Sequence, residues 1–190
     1  VDLSPQVQPI IPTPGHSAYP SGHATEAFAQ AALLAALRLA ASGTPQPGLI
    51  DAILGRLTPA AESATDTDPV VLLFRLAARI ADNRTVAGVH YPVDSAHGAL
   101  LGLSVALAFL GHCLGGGPSQ RIPEWIADAN DWSGDFTLRK WCAALGSAPN
   151  QGWRSGHTTI PKAESWHILP QLWRAALAEW GRPATGNPVA

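Results

Sequence analysis

A chain of 190 residues with 46 % hydrophobic and 14 % charged side chains can bury a core without disulfide help, so it reads as globular rather than disordered. Its formal charge of −2 offers no basic field for nucleic acid or an anionic membrane surface. Cys113 and Cys142 stand in no metal-binding spacing, and whether they pair depends on geometry that spacing does not supply.

In chain order, Val1 to Ala18 holds four prolines and no sustained period, and is expected to run as an extended arm into a turn. No charged-then-apolar leader stands at Val1, and the chain has no methionine. A segment removed upstream is therefore expected, and a soluble, periplasmic or secreted location stays open. From Ala24 to Ala41 the alanine and leucine content predicts a helix ended by Ser42-Gly43, with Glu26, Gln30 and Arg38 on one polar stripe. Leu49, Ile50, Ile53, Leu54 and Leu57 recur at helical spacing, and the polar stretch Glu62 to Asp68 follows. Asp68-Pro69 then has the pattern of a cap and first helical residue, predicting a helix that runs to about Asp82 and delivers Arg84 just past its end.

Asp94 to Leu114 is apolar almost throughout, interrupted by Ser95, His97, Ser104 and His112 and closed by three glycines. It is long enough for a bilayer, but it is expected as a buried central helix and not as a membrane span. Beyond Gly117 the composition changes, since all seven tryptophans lie between Trp125 and Trp180, with shorter helical runs such as Phe136 to Leu145. Residues 1–116 are thus read as a helical core and 117–190 as a Trp-rich helical extension packed on it. No strand alternation persists over a useful length, so the fold class is all-α.

Two stretches carry chemistry. Tyr19-Pro20-Ser21-Gly22-His23 precedes the first long helix, so Ser21, the Gly22 amide and His23 sit at a helix N-terminus. Free N–H groups and the positive end of the helix dipole favour an oxyanion there, and Gly22 lets a ligand approach the backbone. The second stretch runs from Asn83 to Asp94. Arg84 offers a forked, permanently cationic donor, and His90, six residues on, a neutral nitrogen as nucleophile or metal-oxide ligand. Asp94 can accept the other ring N–H of His90 and fix its tautomer. The plainer alternatives are a capping serine and an Arg84–Asp94 ion pair beside a core histidine. The second Ser-Gly-His, Ser155 to His157, is read as coincidence because Pro161 interrupts and no long helix follows. His97 and His112 read as packed or cavity-lining residues, and His167 and the tryptophans as core or interface contacts.

Together, Pro20-Ser21-Gly22-His23 and Arg84-x5-His90-x3-Asp94 resemble the second and third signature motifs of the type 2 phosphatidic acid phosphatase and vanadium-dependent haloperoxidase superfamily. The matched span is about Pro14 to Gly102, and the approach from His16 to Thr25 is more similar to the haloperoxidase branch. The resemblance implies a helical bundle of the haloperoxidase/acid-phosphatase type. The family's first motif, Lys-x6-Arg-Pro, is not found: no lysine or arginine precedes Pro20, and the one Arg-Pro pair, Arg182-Pro183, has Ala175 at the lysine position. The resemblance therefore implies that those cations come from a missing N-terminal chain or another subunit, including that of a homo-oligomer.

In the haloperoxidase form, the resemblance implies orthovanadate as cofactor, bound to His90 as the vanadium ligand and held by Arg84, Ser21 and the Gly22 amide. Hydrogen peroxide and halide would be the small-molecule substrates, with His23 in proton transfer. In the acid-phosphatase form no cofactor is implied. His90 attacks a phosphate ester to give a phosphohistidine, Asp94 orients it and His23 protonates the leaving alkoxide. A third reading, from another class, is a non-catalytic subunit that docks a partner through its Trp-rich end.

Overall fold

The computed structural model describes residues 9–12, 15, 17–62, 67–117, 120–128, 130–146, 150, 152–162 and 168–181. Much of the expected arm, together with Pro14, His16, Trp166, His167 and Arg182-Pro183, lies outside them. The helices in chain order are α1 (Gly22–Ala41), α2 (Leu49–Leu54), α3 (Pro69–Val86), α4 (Pro92–Cys113), α5 (Leu138–Leu145) and α6 (Ile168–Trp180). The all-α expectation holds, with one addition: β1 (Arg121–Trp125) and β2 (Arg154–Thr159) form a small antiparallel pair.

Helix starts follow their caps. Ser21 caps α1, and Asp68 caps α3 by accepting the Val70 N–H at 2.8 Å, with Pro69 at the first helical position. The same Asp68 carboxylate accepts from Arg56 Nε at 2.7 Å. On α1, Glu26, Gln30 and Arg38 are exposed as expected, while Ala24, Phe28, Ala31, Ala35 and Leu39 are buried on the opposite side. Helix α3 is longer than its sequence pattern suggests. It continues to Val86, so Arg84 belongs to its last turn instead of lying past its end. The reason is that nothing between Asp82 and Ala87 breaks a helix. The breaker is Gly88, whose φ of +74° only glycine adopts without strain.

Helices α1 and α4 lie side by side and parallel. Their backbones meet because α4 presents glycine at 98 and 102: a Cβ on Gly98 would stand 2.5 Å from the Ser21 carbonyl oxygen, and one on Gly102 would fall on that of Thr25. Helix α3 closes the other side of α1, with Phe28 and Phe74 rings 6.0 Å apart, and Ser95 Oγ donates to the Ala81 carbonyl at 3.2 Å. The tryptophan-rich region packs into the same core. Trp141 lies 4.6 Å from Phe28, centroid to centroid, and its Nε1 donates to the Ala96 carbonyl at 3.1 Å. Trp132, Trp153 and Trp173 are also buried, in one continuous cluster with α1, α3 and α4.

Helices α1 and α4 are both long and apolar enough to cross a membrane, and 67 % of the apolar window of α4 is buried inside the fold. Cys113 and Cys142 are both buried, and burial pushes the Cys113 thiol up to about 11. Ser155-Gly156-His157 lies in β2, where Gly156 pairs with Glu124 and His157 with Pro123, so it opens no helix.

The α1–α4 seam makes a direct prediction. Gly102→Ala should destabilise the protein by about 1–3 kcal/mol, because the added methyl meets backbone that cannot yield. Gly48→Ala, with open space around it, should stay within about 0.5 kcal/mol. Urea-denaturation midpoints of both variants decide the matter, and equal midpoints would refute the seam.

Candidate functional site

Parallel packing brings the N-terminal ends of α1 and α4 together, so two positive dipole ends face one place. The link is direct: the Ser21 N–H donates to the Asp94 carbonyl at 2.9 Å. Ser21 is wholly buried. Its Oγ accepts from the Ala24 N–H at 3.4 Å, and its carbonyl accepts from Thr25 Oγ1 at 2.9 Å. Gly22 and His23 are exposed, and the space that a side chain at residue 22 would fill is open. The first-turn amides of α1 have no helical partner, so a ligand can reach the Gly22 backbone.

The other half comes from the α3–α4 connection. Bonds from the Ala87, Gly88 and Val89 N–H groups to the Asn83, Thr85 and Arg84 carbonyls, at 2.9, 2.9 and 3.2 Å, close the end of α3 and turn the chain back. His90 follows the turn, buried, and Pro92 opens α4. Asp94, also buried, accepts the Tyr91 N–H at 2.9 Å and faces His90 Nδ1 at 3.4 Å through the same Oδ2 atom. One carboxylate thus caps the helix and favours the tautomer with Nδ1 protonated, leaving the Nε2 lone pair available.

Burial holds His90 below the ordinary histidine value of 6.5. Asp94 opposes that shift, while the charges of Arg84 and His23 add to it. Arg84 and His23 are thus close enough to act electrostatically on His90. Arg84 carries a second mark: its Nε is buried and, among the described residues, has no hydrogen-bond partner. A buried donor without an acceptor is costly and rare in a folded protein. No Arg84–Asp94 ion pair forms among the described residues, so the salt-bridged alternative finds no support there.

The structure therefore brings Ser21, Gly22, His23, Arg84, His90 and Asp94 to one end of the bundle, with Ser21, His90 and Asp94 buried and Gly22 and His23 exposed. No group of three or more His, Cys, Asp and Glu side chains able to hold a metal cation occurs among the described residues, and the donors at the site suit an anion. Sequence reasoning did not single out the pairing of Tyr19 with His97. Tyr19 Oη and His97 Nδ1 lie 2.7 Å apart, and the His97 ring stands edge-on to Trp153 at 5.4 Å. Only the helical spacing of His97 from Asp94 hinted that both line one face of α4.

Burial also holds His97 below 6.5, against the pull of Asp131, Asp128 and Asp94. For both histidines the unfolded chain takes up protons at a higher pH than the folded one. Stability should be complete above about pH 7 and fall as pH drops through 6.5 toward the lower folded values. Urea midpoints at pH 8, 6 and 5 should decline in that order, and more shallowly for His90→Gln. A midpoint that rises between pH 8 and 6 would contradict this.

A family model for the PAP2 superfamily matches residues 2–112, more than half of the chain and all of the gathered residues. No curated protein and no solved structure matches it.

Proposed function

The chain belongs to the PAP2 superfamily, whose members are generally phosphatases or haloperoxidases, and from that premise we propose that it is a vanadium-dependent haloperoxidase-like enzyme. The observation that carries the reading is the buried, unpartnered Arg84 Nε beside a neutral His90, at the meeting of two helix N-termini. These groups fit a tetrahedral oxyanion such as orthovanadate: a forked cation, backbone amides open at Gly22 and a histidine whose second nitrogen is free.

Bound vanadate would supply a Lewis-acidic centre that activates hydrogen peroxide toward halide. His90 would hold it through Nε2, and Asp94, by facing the Nδ1 side, would keep that nitrogen unprotonated. Arg84 and the Gly22 amide neutralise oxyanion charge, with the Ser21 hydroxyl behind them. Exposed His23 would take up the proton of peroxide on an imidazole nitrogen and could return it to an oxygen at the site. One arginine and two helix ends supply only modest positive charge for an oxyanion, so vanadate affinity should be weak unless further cations join the cradle. It takes α1 and α4 as core helices, in keeping with the burial of α4.

The His90–Asp94 arrangement equally favours a phosphatase, which needs no cofactor. His90 Nε2 would attack phosphorus, the bond to the alcohol oxygen would break, and His23 would protonate that oxygen. Water, deprotonated by His23, would then release phosphate from the phosphohistidine. Vanadate resembles that transition state, so one cradle suits both reactions.

The deciding experiment is peroxide-driven bromination of an indicator dye with and without orthovanadate. Activity should require both vanadate and His90, vanishing in His90→Ala. His23→Ala should lose about 10²–10⁴-fold, and Arg84→Lys, which cannot present the fork, about 10²-fold. If vanadate elicits no bromination and instead inhibits phosphate-ester hydrolysis, the phosphatase reading replaces this one. Inactivity in both assays would leave a non-catalytic subunit.

A further inference from the structure

Beside the cradle runs a groove of about 320 Å³ lined by Tyr19, Pro20, His97, Leu100, Leu101 and Trp125, with Ser104 and Ala127 at its edge. It adjoins the site through two chain neighbours: Pro20 leads into Ser21, and His97 lies one turn beyond Asp94 on α4. We propose that this groove binds an organic co-substrate beside the oxyanion cradle, an uncharged ring-sized molecule bearing a hydroxyl or ring N–H. The proposal rests on the reading of the Ser21–Asp94 region as the place of reaction.

The walls decide the size and polarity of the ligand. Leu100, Leu101, Pro20, Trp125 and Ala127 offer apolar surface, and the volume suits one or two rings. Ser104 Oγ donates back to the Leu100 carbonyl at 2.8 Å, so it competes little for a ligand. Tyr19 and His97 decide the hydrogen bond. His97 is buried, and its Nε2 is without a partner among the described residues while Nδ1 faces the tyrosine oxygen at 2.7 Å. With the Tyr19 proton directed at Nδ1, the phenol oxygen keeps its lone pairs for a donor arriving from the half-exposed side. A buried histidine that spends one nitrogen on a tyrosine and leaves the other bare is an expensive way to hold a loop.

Charge excludes a second anion. The Asp128 and Asp94 carboxylates act on Tyr19 and, with Asp131, on His97. A carboxylate or sulfonate on the ligand would face this negative side, whereas an oxyanion suits the cradle at Arg84.

The test is equilibrium binding to the intact protein of three fluorinated probes followed by ¹⁹F NMR. 4-Fluorophenol should bind, 4-fluoroanisole should bind at least about fivefold more weakly for want of a donor, and 4-fluorobenzoate should not bind measurably. Leu101→Trp, at an exposed wall position, should weaken 4-fluorophenol at least about tenfold by filling the groove. Ser104→Trp fills it from the edge and serves if the first variant fails to fold. Tyr19→Phe should bring the phenol down to the level of the anisole. Unchanged 4-fluorophenol binding in a folded groove-filling variant, or benzoate bound as tightly as phenol, would overturn the proposal. Inorganic phosphate binding, measured on the same samples, separates the two ideas. Phosphate bound by the wild type and by Leu101→Trp alike, without phenol binding in either, sinks the groove alone. Phenol bound without phosphate or vanadate sinks the oxyanion reading and leaves the groove as a separate site.

Discussion

The close approach of α1 and α4 is the contact on which the rest depends. Two long helices can bring their N-termini within hydrogen-bond reach only where no side chain separates their backbones, and Gly98 and Gly102 supply that absence. The parallel direction then follows through to chemistry. It sets Ser21 against Asp94 and joins the positive ends of two helices at one end of the bundle. Because α3 runs the other way, its last turn reaches the same end, and Arg84 arrives there without a dedicated loop.

Within that frame Asp94 has two duties. By accepting the Tyr91 N–H it satisfies an unpaired donor at the helix start, and by facing Nδ1 it determines the tautomer of His90. Burial keeps the imidazole neutral, as a nucleophile or ligand must be, and the nearby cations oppose its protonation further. The Arg84 guanidinium is also what an oxyanion would require, so the feature that tunes His90 and the one that would attract a ligand coincide.

Much of this was legible in the residues. Asp68-Pro69 announces α3, the alanine-rich run announces α1, and each of the two motifs sits at a break between helices, where chemistry-bearing side chains are held by rigid elements. The end of α3 was misplaced because Asp82-Asn83 has the composition of a helix exit, yet the chain turns only where Gly88 permits it. The β1–β2 pair escaped notice since β1 is five residues long with Pro123 inside it, and its partner comes after α5. Tyr19–His97 escaped for another reason. Nothing local marks two residues far apart in the chain as partners, and their meeting follows from the α1–α4 packing itself.

That packing also has a consequence for how the protein folds. Ser21 and Asp94 are remote in sequence, so the pocket between them exists only after a large loop has closed and α3 has been laid between its ends. Helices α1 and α3 rest on local hydrogen bonds, whereas the cradle rests on contacts of long sequence separation. A bound oxyanion favours only the finished state, so in ligand-rich surroundings it would add to apparent stability through mass action. Substrate and scaffold would then reinforce one another, the occupied site clasping the seam that created it.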